Sequence, residues 1–218
     1  MSDTQTRRPS SLALAASALG LTLAAPLALA NEAAERLTDR LDPLESYQAT
    51  FEQRILDGSG DHLQEARGEM WLARPGMLRW EVEAPYSQTV VSNGDSVYLY
   101  DPDLEQVTVQ ALDDRVTHTP ALLLSGRVSE LTESYEVDYE QDGSDDVFTL
   151  VPNSPDTLFE QLSMTFDGDM LTELWMTDST GQRTAIVFSD PVRNEQIPDE
   201  RFEFDIPDGV DVIREEPR

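Results

Sequence analysis

Few residues in this chain could make or break bonds. The two histidines, His62 and His118, stand apart, with no HxxxH or HExxH spacing that would share a metal or serve a nucleophile. No cysteine occurs, which excludes structural disulfides, thiolate metal sites and a cysteine nucleophile. Gly-rich phosphate loops and GxSxG elbows are absent as well. "DPDLEQ", Asp101 to Gln106, resembles the start of a calcium loop but lacks the glycine and the closing glutamate, so it reads as a turn. With 43 acidic residues, some pair can stand at the spacing of a two-carboxylate glycoside hydrolase, and that is the one enzyme class left open. No catalytic residue, metal ligand or cofactor is otherwise expected. The residue that needs a different explanation is Arg74, a permanent cation beside the apolar side chains of "WLARPGMLRWEVEAP", residues 71 to 85.

That stretch reads as two strands around a tight turn, Trp71 and Leu72 on one arm and Leu78, Trp80 and Val82 on the other. From Tyr47 onward the apolar period is two. "LSMTF" (Leu162, Met164, Phe166) and "RFEFDI" (Phe202, Phe204, Ile206) alternate strictly, as half-buried strands do. Turn signals separate the runs at Asp57-Gly58, Pro75-Gly76, Asn93-Gly94, Asp142-Gly143, Asp167-Gly168, Thr180-Gly181 and Asp208-Gly209, which describes an antiparallel meander. Two segments break the period. "EAAERLTDRLDPL" after Asn31, a plausible N-cap, sets Ala33, Ala34, Leu37, Leu41 and Leu44 at helical spacing. "THTPALLLSGR" offers Thr119 as N-cap, Pro120 at the first helical position and Gly126 as a stop around Leu122, Leu123 and Leu124. A large sheet with one apolar face and only two short apolar helices can close as a barrel or leave a lined hollow, and the preferred reading is a hollow that holds an apolar ligand.

Residues 1–30 read as a secretory signal: Arg7 and Arg8, an Ala/Leu stretch, then Ala28-Leu29-Ala30. The expected mature domain is 31–218, a single domain without a further apolar span. The formal net charge is −28, and the basic residues are arginines without one lysine. Acids spread over the whole chain predict a soluble monomer suited to high external salt, where screening shortens the reach of self-repulsion. Nucleic acid is not an expected partner, because no basic stripe is present.

The segments "SYQATFEQ", "RGEMWLARPGMLRWEVEAP", "SNGDSVYLYDPDLEQVTV" and "HTPALLLSG" closely resemble the periplasmic outer-membrane lipoprotein carrier family, LolA. The most specific matches are Arg74-Pro75, Trp80, Tyr100-Asp101-Pro102 with Glu105-Gln106, and Thr119-Pro120. The resemblance implies a mainly β fold with a few α-helices, a single-domain unclosed antiparallel half-barrel covered by a helical lid. It implies a carrier in the periplasm of a Gram-negative cell that takes the acyl chains of lipoproteins from the inner-membrane LolCDE transporter and passes them to the outer-membrane receptor LolB. That receptor is anchored through a cysteine, so a chain without cysteine fits the carrier. A lipid-binding envelope-stress sensor on the same half-barrel is the rival. Arg74 then resembles a lid latch that donates to the main-chain carbonyls of Leu41, Leu124 and Ser125, a task suited to five fixed donors on a lasting charge. The expected apolar lining is Leu37, Trp71, Leu78, Trp80, Val82, Leu122 and Leu123. Leu78 stands where the family carries phenylalanine, and Ala121 where an aromatic residue is common.

Overall fold

The structure is a computed structural model that describes residues 25–112, 121–154, 157 and 159–214, with side chains from Glu32 onward. Residues 1–24 of the expected signal, His118, Thr119 and Pro120 lie outside the described residues. In chain order the elements are α1 (Ala25–Leu41), β1 (Ser46–Leu56), β2 (His62–Ala73), β3 (Met77–Ala84), β4 (Gln88–Asn93), β5 (Ser96–Asp101) and β6 (Gln106–Ala111). There follow α2 (Ala121–Ser125), α3 (Val128–Ser134), β7 (Tyr135–Asp142), β8 (Asp145–Pro152), β9 (Phe159–Asp167), β10 (Met170–Asp178) and β11 (Arg183–Arg193). A 3-10 turn (Asp199–Phe202) and β12 (Asp211–Arg214) end the chain's regular structure.

One twelve-stranded sheet contains every strand, in the order β12-β6-β5-β4-β3-β2-β1-β11-β10-β9-β8-β7. Its ends, β12 and β7, do not pair with each other, so the sheet stays unclosed. The pairings are antiparallel apart from β12, which runs parallel to β6. The expected turns fall between strands, and several are held by one acid: Asp57 Oδ1 accepts from the amides of Ser59 and Asp61, both at 2.9 Å. Asp178 does the same for Thr180 and Gln182, at 2.8 and 3.0 Å. The Ser59 hydroxyl donates to Asp57 and the Thr180 hydroxyl to Asp178, each at 2.7 Å, and with the amides they outweigh desolvation, favour the ionised form and draw both carboxyls below the usual range.

Strand alternation decides what is inside. Tyr47, Ala49 and Phe51 on β1, Met70 and Leu72 on β2, Leu78 and Trp80 on β3, and Leu162, Met164 and Phe166 on β9 join one buried apolar cluster. Three helices lay their apolar sides on that face, with Ala33, Leu37 and Leu41 from α1, Ala121, Leu122 and Leu124 from α2, and Val128 and Leu131 from α3. The third helix was not expected from the sequence. Gly126 does end α2, and the chain re-enters a helix two residues later.

Two further expectations are corrected. Asn31 is no N-cap, because α1 is continuous from Ala25 and the Ala/Leu residues ahead of Asn31 are good helix formers. "RFEFDI" is no strand: Phe202 belongs to the 3-10 turn and residues 203–207 carry no ladder. Alternation there reports two-sided exposure, since Phe202 is buried and Phe204 packs on Tyr98 and Tyr100 at 5.5 and 5.8 Å between ring centroids. The free rim, β7, alternates buried Tyr135 and Val137 with exposed Glu136 and Asp138, and Glu140 and Asp142 continue the acids. Among the described residues no helix is long and apolar enough to cross a bilayer.

Candidate functional site

The site is built on the turn between β2 and β3. Register pairs Ala73 with Met77, leaving Arg74, Pro75 and Gly76 as the connection. Arg74 is tied by its own amide, which donates to the Glu45 carbonyl at 2.9 Å, so the turn is fixed against the segment that leaves α1. The Arg74 Nε donates to the carbonyl of Leu124 on α2 at 2.9 Å, and Nη1 to that of Leu41 at the end of α1 at 2.7 Å. Both acceptors lie in the last turn of their helices, where carbonyls have no intrahelical donor. One guanidinium therefore joins two helices to one sheet turn. Burial pushes it down to about 10, against the nearby Asp42 carboxylate, so it still carries its charge at neutral pH.

The third expected acceptor is engaged differently. The Ser125 carbonyl accepts from the Gly76 amide at 2.7 Å, two residues along the same turn, rather than from the guanidinium. The Gly76 carbonyl in turn accepts from Ser92 Oγ at 2.6 Å, and Ser92 is fully buried. Gly76 has φ +76°, and a Cβ there would sit 3.1 Å from Gly94 Cα and from Leu112 Cδ2. Only glycine suits that position. Sequence reasoning missed Gly76 and Ser92, since nothing in residue spacing connects a turn to a helix some fifty positions later.

Of the expected lining, Leu37, Leu78, Trp80 and Leu122 lie in the apolar cluster at 4% exposure or less, and Val82 and Leu123 are partly buried against it. Trp71 is a correction. It sits between Met70 and Leu72, both inward and fully buried, so strand alternation turns it to the opposite face of the sheet. There the Arg201 guanidinium covers its ring at 4.4 Å from the centroid. The residue that shares Trp80's face is Phe51, stacked on it at 3.7 Å with 19° between the planes. Gly68 admits this stack, because a Cβ would meet Phe51 Cζ at 2.8 Å and the Glu81 carbonyl oxygen at 1.7 Å. The alternation of "SYQATFEQ" was the available signal for Phe51.

The expected hollow is filled in this arrangement. Leu37, Leu41, Leu72, Leu78 and Leu124 are at 1% exposure or less and pack into one another's cluster. An apolar guest can enter only if a helix moves. A pocket of about 760 Å³ does exist at the other ends of β1, β2 and β3, far from the latch, but its walls include Glu52, Arg54, Glu65 and Arg67 and suit no alkyl chain.

The helices are held unequally. On α1, Arg40 pairs with Asp146 and with Asp169 at 3.2 Å and donates to the Gly168 carbonyl, while Arg193 reaches Asp169 at 3.4 Å. Arg36 lies over the Tyr139 ring at 4.9 Å, and Asn194 Nδ2 donates to the Pro43 carbonyl at 2.7 Å. Among the described residues, the hydrogen bonds that tie α2 to the sheet come from the Arg74–Gly76 turn. Among the described residues no group of three or more His, Asp or Glu side chains is placed to hold a metal ion.

Comparison with known proteins gives the family and the fold. Residues 42–205 match the family model described as outer membrane lipoprotein carrier protein LolA. An outer-membrane lipoprotein carrier protein of Chromohalobacter salexigens is 60% identical over 200 residues, covering 91% of this chain and 95% of that protein. Its counterpart from Pseudomonas aeruginosa is 47% identical over 197 residues, covering 89% and 95%. An uncharacterised conserved protein from Thermus thermophilus shares the fold, with a TM-score of 0.51 over 84% of this chain and 99% of that one, at 13% identity.

Proposed function

This chain belongs to the LolA family of outer-membrane lipoprotein carriers, and from that premise we propose that the three helices are the lid of its acyl-chain site and Arg74 the latch. It is a carrier of lipoproteins and not an enzyme. The cargo reaches it from the inner-membrane LolCDE complex and leaves for the receptor LolB. Residues 1–30 direct export to the periplasm, where residues 31–218 act as a single domain. In this reading the chains lie along Leu37, Leu78, Trp80, Val82, Leu122 and Leu123, after α2 has moved away from the sheet.

The observation that carries the reading is the placing of one desolvated guanidinium between the ends of two helices that roof an apolar face. Energetics give such a latch a use. Burying a methylene is worth about 0.8 kcal/mol, so one long acyl chain contributes on the order of 10 kcal/mol. A site that retained all of it would not release its cargo. Hydrogen bonds to a charged group contribute about 1.5–3 kcal/mol each. Breaking two of them on loading subtracts from the binding energy, and cargo then moves downhill to a receptor without that cost.

Native mass spectrometry of protein purified from the periplasm tests this directly. Bound acylated lipoprotein is the expected finding. A bound free sugar, with no lipoprotein, would instead point to a hydrolase.

A further inference from the structure

We propose that the Nη2 nitrogen of Arg74 is the recognition donor for the carbonyl oxygen that ends each acyl chain, so that the latch also reads the polar head of the cargo. This rests on the carrier reading above and adds to it a contact between the latch and the ligand.

The guanidinium presents five N–H groups in a fixed plane. Nε is used by Leu124 and Nη1 by Leu41. Nη2 is enclosed by protein and has no acceptor among the described residues. Buried donors in native proteins are nearly always paired, so an unmet one on a cation calls for an account. Its loss is comparable with a bond that the same group does make, and it works against the closed state. The neighbouring side chains that carry the latch, Leu41 and Leu124, are apolar and buried and supply no acceptor. In this proposal the acceptor comes with the guest.

Alkyl cargo brings very few. An acyl chain is joined to its bearer through an ester or amide, and the carbonyl oxygen of that bond is the polar atom next to the chain. A chain lying on Leu78 and Trp80, which stand two and four positions after Gly76, has its head within the same turn as Arg74. A carbonyl there fills the open donor. The bond is charge-assisted, which makes it stronger than one between neutral groups. Hydrocarbon without the carbonyl leaves the cost in place, so the site distinguishes acylated from merely alkylated molecules.

Two amphiphiles that differ in one carbonyl test this on the full protein: monolauroyl glycerol and glyceryl dodecyl ether, titrated by calorimetry below their critical micelle concentrations. The ester is expected to bind about 10-fold more tightly than the ether, the worth of one such bond at 1.4 kcal/mol per tenfold. In Arg74→Leu the preference is expected to fall to about two-fold or less, and in Arg74→Lys part of it to survive. The carbonyl stretch of bound ester should lie at lower wavenumber in the wild type than in Arg74→Leu, a change that looser packing alone does not produce. Equal binding of the two amphiphiles by the wild type overturns the proposal, as does an ester preference unchanged in Arg74→Leu. If Arg74→Leu does not fold, the wild-type ratio and its infrared band still decide. Failure of both amphiphiles to bind overturns it together with the carrier reading, whereas equal binding leaves the carrier reading standing.

Discussion

At the scale of the residue, Arg74 trades desolvation against bonds to two carbonyls. Replacing it by leucine removes both donors and leaves the Leu124 carbonyl without a partner, while Leu41 keeps its bond from the Leu44 amide at 2.9 Å. Arg74→Leu is therefore expected to raise hydrogen exchange at residues 121–125 by about 10-fold or more, on the scale of 1.4 kcal/mol per tenfold. The same variant should hold lipoprotein more tightly and transfer less of it to LolB; transfer equal to wild type would refute the latch. Protonation adds a second expectation. The folded value, about 10, lies below the ordinary arginine range, so the deprotonated form is favoured by folding. The associated stability is complete only above the ordinary value and is lost as pH falls through about 10. Around neutrality the cation is fully charged and its burial cost constant, so exchange at α2, corrected for intrinsic rate, should not vary with pH there. Position in sequence revealed Arg74 but not its surroundings. Its charge amid apolar residues is a local signal, whereas the Gly76 amide and the Ser92 hydroxyl act through contacts that only the closed chain creates.

At the scale of the element, the helices of the proposed lid divide into a held beam, α1, and a lighter flap, α2. The C-terminal half of α1 is tied to the sheet by Arg40 and Arg36 and, just beyond its end, by Asn194, whereas α2 hangs from the turn at residues 74–76. Ser92→Ala removes the hydroxyl that fixes the Gly76 carbonyl and should cost about 1 kcal/mol in urea unfolding. It should also speed exchange at α2 more than at α1; equal effects on both helices would argue against a role for the turn. Gly68→Ala is the severe case. The new Cβ meets main chain at 1.7 Å, and the loss is expected at about 3 kcal/mol or more, at the top of the overpacking range. A near-neutral result in the same urea assay would show that the Phe51–Trp80 stack can shift. Periodicity located the strands and two of the three helices because each exposes one face to water. It failed for residues 201–206, where the apolar side covers the sheet's other face without joining a ladder, and for Trp71, whose phase relative to Met70 and Leu72 is decisive.

At the scale of the whole molecule, charge dominates. A formal net charge of −28 favours expanded states through self-repulsion, and the screening length falls from roughly 8 Å at physiological salt to roughly 3 Å at 1 M. The melting temperature should rise steadily with sodium chloride into the molar range, and a flat response in a calorimetric series would mean that the acids are locally compensated. Composition made the charge legible and the alternating runs made a large sheet legible, while its staying unclosed was implied by the family resemblance alone; the parallel β12 was not legible, since four exposed residues carry no phase of their own. The two sheet ends have a consequence for self-association. Along β7 the outward positions are Glu136, Asp138, Glu140 and Asp142, and the opposite end is finished by a strand only four residues long. A second copy that tried to extend the ladder would meet like charge at one margin and too short a template at the other, so stacking into fibrils is discouraged even when the lid stands open and grease is on show.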